Sequence, residues 1–243
     1  MVVEKILDIA AVFILFFGSL IVLFIISYNR YRNILLSVNE IPKHFDKNNF
    51  SCKEINKLYM IFKRLNDIIT SIVVLVVFSP LFLVIAILIK LDSEGPIFIK
   101  LKRCTLKGKQ FDAIKFRTMV YSDNKSSNDK NIRITKVGRF LRKTALDELP
   151  EFINVFIGHM SVVGTTVARE FDYENISDYH RNCLSHIKPG FTNLWVVSLD
   201  RQNWKYENRL AYDLYYLNNI SFGLDFYIII RTIITTMGIT ASY

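Results

Sequence analysis

A long apolar stretch with a proline at its centre constrains this chain more than any other feature. Residues 68–89 are apolar over a length that can cross a bilayer as a helix, yet Ser79-Pro80 lies in the middle. Proline removes one backbone hydrogen bond and clashes with the preceding turn. In lipid, a serine hydroxyl or neighbouring backbone can satisfy the freed groups. We therefore expect a helix that is broken at Ser79-Pro80.

The charges around this stretch bear on its path through a membrane. A helix that crossed the bilayer would carry one basic flank outward, against the tendency of positive charge to stay in the cytoplasm. A helix that bends at Pro80 and returns to the same face satisfies both the proline and the charges. We favour this re-entrant hairpin over a second complete span, which is the alternative. The flanking basic residues are Lys57, Lys63 and Arg64 before the stretch, and Lys90, Lys100, Lys102 and Arg103 after it.

A second apolar run, residues 6–26, is also long enough for a transmembrane helix. It is too long for a signal peptide, and no small-residue cleavage site follows it. Arg30 and Arg32 follow the run, whereas only Lys5 precedes it, so the positive-inside rule places the N-terminus outside and the remainder in the cytoplasm. We therefore divide the chain into a transmembrane helix (1–30), a linker (31–62), a re-entrant membrane helix (63–92) and a cytoplasmic catalytic domain (93–243).

The residues after the re-entrant segment predict a small mixed domain. Strands at about 97–103 and 111–116 flank a Lys-Gly-Lys turn and indicate a β-hairpin. An aromatic-rich amphipathic helix is expected at 204–218. Residues 222–237 are apolar but interrupted by Asp225 and Arg231, which suits a helix in the membrane interface. The predicted fold class is a mostly α, membrane-associated α+β protein with amphipathic interface helices.

Two adjacent carboxylates, Asp147 and Glu148, directly follow a basic cluster of Arg139, Arg142 and Lys143. Apolar residues then recur at helical spacing, and the helix is expected to begin either near Thr144, with a capping box, or near Pro150. Both interpretations place the carboxylates near a helix N-terminus beside cations, which suits phosphate chemistry with a divalent metal. The alternative is a capped helix with solvated surface charges.

The overall charge also limits the partners. The net charge is +9, and the basic residues cluster beside the apolar segments rather than along one helix or arm. This distribution indicates anionic lipid headgroups or a phosphate-bearing substrate. It argues against nucleic acid as a partner.

The motifs, taken in order, resemble those of the bacterial sugar transferases, the monotopic polyprenyl-phosphate phosphoglycosyl transferases. The resemblance covers about residues 63–237. It rests on KRLNDI…SPLFLVIAILIKLDSEGPIF, KFRTM, ITKVGRFLRKTALDELPEFINVF, GHMSVVG, KPGFTNLW and YDLYYLNNISFGLDFYIII.

The resemblance implies transfer of a sugar 1-phosphate from a nucleoside-diphosphate sugar, expected to be a UDP-sugar, to undecaprenyl phosphate, a polyprenyl carrier. It implies that Asp147 is a nucleophile that forms a phosphosugar-aspartyl intermediate, and that Glu148, with Asp147, binds Mg²⁺. The product would begin an exopolysaccharide, capsule, O-antigen or glycoprotein glycan on the cytoplasmic face of the bacterial inner membrane. We expect phosphate or substrate to be bound by Arg142, Lys143, Arg103, Lys115, Arg117, Arg169 and Arg201.

Some positions depart from the family pattern on segments expected to contact phosphate and nucleotide. Arg169 and Arg201 are candidates to compensate for these changes. The alternative function is a catalytically impaired membrane partner that scaffolds or regulates a glycan-assembly complex, and a homodimer or such a complex is the expected assembly. The departures are Thr166 for arginine, Asn193 for glycine, Leu199-Asp200 for Gly-Arg, and Cys104-Thr105 for a glycine.

Overall fold

The computed structural model describes residues 54–105, 109–120, 133–167, 177–198 and 206–236. The predicted N-terminal transmembrane helix and most of the predicted linker lie outside these ranges, as do Arg169 and Arg201. In chain order the elements are α1 (Lys57–Val77), α2 (Ser79–Asp92), β1 (Phe98–Cys104), β2 (Gln110–Phe116), α3 (Lys136–Lys143), a short 3₁₀ helix (Leu146–Glu148), α4 (Glu151–Ile157), β3 (Ser161–Val163), α5 (Asp178–Leu184), β4 (Gly190–Thr192), α6 (Tyr206–Asn218) and α7 (Phe222–Thr236).

The predicted break at Ser79-Pro80 is confirmed. Helices α1 and α2 meet at an angle of 59°. Pro80 has no amide hydrogen to donate to the Val76 carbonyl four residues earlier. The Ser79 hydroxyl donates to that carbonyl instead, at 2.8 Å. The serine therefore satisfies the group that the proline leaves without its helical partner.

Taken singly, none of the described helices combines the length and apolar character needed to span a bilayer, but the bent α1–α2 pair does so as a unit. Many of its large apolar side chains are exposed. The path of the pair relative to a membrane stays a prediction. The exposed apolar residues of the α2 half are Leu83, Val84, Ile87, Leu88 and Leu91.

Polar side chains of α1 recur every fourth residue and dock the helix onto the rest of the molecule. Lys63 Nζ lies 2.6 Å from Asp225 Oδ2, which also accepts from the Tyr59 hydroxyl at 2.6 Å. The Tyr216 hydroxyl donates to Asp225 Oδ1 at 2.5 Å. One turn along α1, Asp67 accepts from a serine hydroxyl and a backbone amide of β3. We call Tyr59, Lys63, Tyr216 and Asp225 the sealed cluster.

Two small sheets lie beside the helices. The predicted hairpin is confirmed: β1 and β2 are antiparallel, with Ile99 opposite Lys115 and Arg103 opposite Phe111. The second sheet pairs β3 with β4 in parallel. It forms the centre of the main core together with one face of α4, α6 and α7.

Helix α7 packs one face into the core, and Phe222 and Ile233 stay exposed, so its predicted place in the membrane interface stays a prediction. Leu224, Tyr227 and Ile228 are fully buried. Asp225, which interrupts the apolar run and suggested an interfacial position, is itself buried in the sealed cluster. The interruption therefore serves a tertiary contact with α1.

Candidate active site

Asp147 and Glu148 line a cleft of about 370 Å³ between the hairpin and the segment that joins α3 to α4. The hairpin side supplies apolar walls and one ammonium group. The α3 side supplies one guanidinium and the two carboxylates. The lining residues are Ile99, Leu101, Lys115, Phe116, Thr118, Arg142, Ala145, Asp147 and Glu148.

The segment between α3 and α4 positions the two carboxylates at this cleft. The Thr144 hydroxyl donates to the Phe140 carbonyl at 2.9 Å, so Thr144 ends α3 and does not cap the next helix. Pro150 is the N-cap residue of α4, which begins at Glu151. Of the two predicted helix starts, the one near Pro150 is confirmed and the capping box at Thr144 is wrong.

Ala145 makes the turn between the two helices. Its φ is 53°, in the left-handed region, which costs an L-residue roughly 1–2 kcal/mol. The next residues form the short 3₁₀ helix that carries Asp147 and Glu148. The left-handed residue therefore reverses the chain immediately before the acid pair.

Close packing of α3 places Arg142 at the cleft. A Cβ atom on Gly138 would lie 2.1 Å from the Thr118 carbonyl oxygen, so a glycine is required where α3 crosses this segment. Arg142 Nε then donates to Thr118 Oγ1 at 2.9 Å. The hydroxyl uses one of the five donor positions of the guanidinium, and the others have no partner in the part of the chain that the structure describes, which leaves them for an anion in the cleft.

Lys115 connects two carboxylates at the side of the cleft. Its Nζ lies 2.5 Å from Glu148 Oε1 and 3.2 Å from Glu151 Oε1. Glu151 is not among the site residues expected from the sequence. The available signal was its spacing, because a residue three positions after Glu148 at a helix start lies on the same side.

The environment changes the pKa values of these groups. Burial raises the pKa of Asp147, and the neighbouring Glu148 charge raises it further, against opposing effects of Lys115 and Arg142. Burial also raises the pKa of Glu151 to about 7, while Lys115 acts in the opposite direction. Burial alone would lower the pKa of Lys115, but Glu151 and Glu148 outweigh it and the net shift is upward. Lys115 therefore stays charged between its partners.

The other predicted substrate-binding residues differ in placement. Arg103 lies on β1, and its charge opposes the rise in the pKa of Glu151, so it is near the cleft cluster. Lys143 is exposed at the end of α3 and does not line the cleft. Arg117 is 2% exposed, and its guanidinium donates to three backbone carbonyls at the end of α2 and just beyond it. Arg117 was predicted to contact substrate, but the structure commits it to the backbone instead.

Two residues that depart from the family pattern, Thr166 and Asn193, make hydrogen bonds within the fold. The Thr166 amide and hydroxyl both donate to Asp213 Oδ1, at 2.9 and 3.1 Å. Burial raises the pKa of Asp213 to about 7, although these hydrogen bonds oppose the shift. Asn193 Oδ1 accepts from the Val196 amide at 2.9 Å. Both residues thus stabilise the backbone near β3 and β4.

The acid pair fits a magnesium ion that also binds substrate. Among the described residues, no group of three acids, histidines or cysteines converges as a complete metal site. Mg²⁺ is commonly held by one or two carboxylates, with phosphate oxygens and waters completing its shell. Asp147 and Glu148 offer such oxygens. A dication would oppose the rise in the pKa of Asp147, which burial causes and the Glu148 charge increases.

Comparisons with known proteins extend over most of the described chain. The model of the bacterial sugar transferase family matches residues 58–238. A UDP-glucose:undecaprenyl-phosphate glucose-1-phosphate transferase of Klebsiella pneumoniae is 40% identical over 74% of this chain and 41% of its own length. A UDP-N-acetylgalactosamine-undecaprenyl-phosphate N-acetylgalactosaminephosphotransferase of Aeromonas hydrophila is 32% identical over 80% of this chain and 49% of its own.

A shorter relative matches along nearly its whole length. The exopolysaccharide production protein PSS of Rhizobium leguminosarum bv. phaseoli is 36% identical over 73% of this chain and 96% of its own. This chain thus spans about two-fifths to one half of the two longer relatives and almost all of the shorter one. With the family model covering most of its length and the acid pair in an open cleft, the chain belongs to the bacterial sugar transferase family.

Proposed function

We propose that this chain transfers a sugar 1-phosphate from a nucleoside-diphosphate sugar to undecaprenyl phosphate, and so begins a lipid-linked glycan such as an exopolysaccharide. The observation that carries the proposal is the Asp147-Glu148 pair, which lines an open cleft together with Arg142. Two relatives support the reaction class, because they are named as transferases that act on undecaprenyl phosphate with UDP-glucose or UDP-N-acetylgalactosamine. Those relatives differ in their sugar, so the donor is left to experiment.

The reaction would proceed in two displacements at one phosphorus atom. First, an Asp147 carboxylate oxygen attacks the phosphorus that carries the sugar, and the bond to the nucleoside monophosphate breaks with its electron pair leaving on that product. A phosphate oxygen of undecaprenyl phosphate then attacks the phosphosugar-aspartyl phosphorus and releases the Asp147 carboxylate. A covalent intermediate divides a transfer between two large anions into two smaller steps.

The other cleft residues would hold charge rather than form bonds. Arg142 is placed to bind a phosphate of the donor through its remaining donors. Asp147 and Glu148 would hold Mg²⁺, which supplies positive charge to the phosphate oxygens when bound. Burial raises the pKa of Asp147 and so disfavours its ionised form. Cations near the carboxylate would favour the ionised form, which is the one that acts as the nucleophile.

We further propose that the α1–α2 pair enters the cytoplasmic leaflet of the inner membrane and returns to the same side. The 59° bend and the exposed apolar side chains of both helices support this path. A cysteine introduced for Asp92, at the end of α2, should react with a membrane-impermeant maleimide only after cells are opened. Labelling of intact cells would instead establish a complete span.

The decisive experiment measures nucleoside monophosphate release by the full chain in membranes, with undecaprenyl phosphate, Mg²⁺ and a panel of nucleoside-diphosphate sugars. We expect release with one donor, led by the UDP-sugars, and none from Asp147→Asn. Asp178→Asn is the matched control, because Asp178 is an exposed aspartate at the start of α5. Near-normal turnover by Asp147→Asn would refute the nucleophile.

One observation favours the second candidate function, a catalytically impaired partner in a glycan-assembly complex. Thr166 stands where the family usually has an arginine, and its polar groups are engaged by buried Asp213. This alternative predicts that a donor binds to the folded protein without release of nucleoside monophosphate. Isothermal titration of the same donor panel, beside the turnover assay, distinguishes the two functions.

A further inference from the structure

We propose that Glu151 is a positioning residue of the candidate active site, which holds the Glu148 carboxylate in place through the Lys115 ammonium. Among the described residues, Asp147 is then the member of the acid pair that has no lysine within ion-pair distance, and so the one able to attack phosphorus. The inference rests on the proposed function for its catalytic meaning. Its structural content, a relay from Glu151 through Lys115 to Glu148, can be tested without turnover.

The three side chains form a line from the interior to the cleft. The exposed fraction is 8% for the Glu151 side chain, 18% for Lys115 and 39% for Glu148. The ammonium lies within ion-pair distance of both carboxylates, at 2.5 Å from Glu148 and 3.2 Å from Glu151. The buried end of the line is therefore well placed to restrain the end that meets ligand.

The backbone around Glu151 is held firmly enough to act as a reference point. Asn154, one turn further along α4, is buried and accepts from the Ile114 amide at 3.0 Å. Its side-chain amide also donates to the Asp112 carbonyl at 2.7 Å. These two bonds join α4 to β2 beside Lys115. Because helix and strand are joined in this way, the distance between Glu151 and Lys115 is set by the fold.

One carboxylate is enough to neutralise the charge of Lys115, so the presence of a second carboxylate, Glu151, calls for an explanation. An incoming nucleoside diphosphate is an anion that competes with Glu148 for the ammonium. An ammonium paired only with Glu148 could turn toward the diphosphate and release the Glu148 carboxylate. Glu151 holds the ammonium from the interior, so Glu148 keeps its orientation when ligand arrives. Such supporting contacts typically contribute 10- to 100-fold to metal affinity or activity.

The first test is a double-mutant cycle on turnover with Glu151→Gln and Lys115→Met. We expect Glu151→Gln to lower kcat for nucleoside monophosphate release by about 10- to 100-fold, with little change in donor KM. In the Lys115→Met background, Glu151→Gln should have no further effect, because Glu151 then has nothing to hold. Glu94→Gln, an exposed glutamate after α2, is the matched control and should keep the original kcat.

The second test needs no activity and uses Mn²⁺ as a spin probe on the purified full chain. When Glu151 is replaced, the Lys115 ammonium pairs with Glu148 alone. It then competes more strongly with a bound cation for the Glu148 carboxylate. Glu151→Gln should therefore weaken Mn²⁺ binding, measured by electron paramagnetic resonance, by about tenfold. The same substitution should change nothing in the Lys115→Met background.

The outcomes separate the two proposals. Coupled effects on Mn²⁺ binding, with no release from any donor, would refute the proposed function and retain the relay. Effects that add independently in the Lys115→Met background would overturn the relay. So would a lower thermal stability of Glu151→Gln with unchanged kcat and unchanged Mn²⁺ affinity, because Glu151 would then serve stability alone.

Discussion

Two clusters of this molecule place a lysine among acidic or phenolic groups, and they differ in access to solvent. In the sealed cluster, the Lys63 and Asp225 side chains are 6% and 11% exposed. In the cleft, Lys115 and Glu148 are 18% and 39% exposed, and Asp147 stands beside them. Similar chemical groups are thus arranged once for burial and once for contact with a ligand.

The difference teaches what each cluster contributes. Both oxygens of Asp225 accept short hydrogen bonds, and their donors come from α1 and α6. This pairing orients the bent α1–α2 pair against α7, because unpaired charges at this depth would be costly. In the cleft, Asp147 adds a carboxylate that no lysine of the described ranges approaches within ion-pair distance. The sealed cluster therefore supports architecture, and the cleft cluster is prepared for a cation and an anion.

The largest expected effect is on turnover in the cleft. Asp147→Asn should lower nucleoside monophosphate release by at least about 10⁴-fold, because an amide cannot serve as the nucleophile. Its thermal stability should be unchanged or slightly higher, since burial and Glu148 disfavour the ionised carboxylate. Turnover and thermal unfolding of the same preparation check both parts. A large loss of stability would show that Asp147 belongs to the architecture.

The sealed cluster should respond in the opposite way. Asp225→Ala leaves the Lys63 ammonium buried without its carboxylate, and we expect the free energy of unfolding to fall by about 3–5 kcal/mol. Denaturant titration in detergent measures the change. The double variant Lys63→Met/Asp225→Ala removes both charges and should recover part of the loss. Equal destabilisation by the single and double variants would contradict a role for the ion pair.

Asp213 is another buried acid, and its protonation should make the stability of the fold depend on pH. Its pKa is raised to about 7 by burial, above the unfolded value, so the folded state binds the proton more tightly. The contribution is fully present below about pH 4 and is lost as pH rises to about 7, with a slope of at most about 1.4 kcal/mol per pH unit. Denaturant titrations across this range should show a weaker dependence for Asp213→Asn. An identical dependence in both proteins would contradict the assignment.

The smallest effect is expected from a surface pair on the hairpin. Lys102 Nζ lies 2.7 Å from Asp112 Oδ1, but the Lys102 side chain is 74% exposed. Exposed pairs contribute little because water and salt screen them. Lys102→Gln should change the free energy of unfolding by less than about 0.5 kcal/mol, measured by the same titration. A loss of unfolding free energy as large as that of Asp225→Ala would show that exposed and sealed ion pairs contribute equally to stability.

Features with local causes were predictable from the sequence. The break at Ser79-Pro80 follows from the missing proline amide, and the Ser79 hydroxyl takes its place at the Val76 carbonyl. The hairpin followed from alternation around a glycine turn. The start of α4 at Glu151 agrees with the preference of Pro150 for a helix beginning. Each of these depends on residues within one or two turns of chain.

Features that depend on distant residues were missed or misplaced. Arg117 lies in a basic motif, but its partners are carbonyls at and beyond the end of α2, about 25 residues earlier in the chain. The partner of Asp225 is Lys63, 162 positions away. Glu151 had the right spacing from Glu148, but Lys115 on another element gives it its role. Charge alone does not tell which side chains will meet.

The sequence by itself determined the apolar helices and their break, the hairpin, the adjacent acids and the family, because these depend on neighbouring residues and motif order. Only the tertiary structure decided which charges are sealed and which open into a cleft. Burial and ion pairing depend on distances between elements far apart in the chain, and those distances are set by packing. Lys63 and Lys115 look alike in sequence, and packing alone distinguishes the first as a support from the second as part of the site.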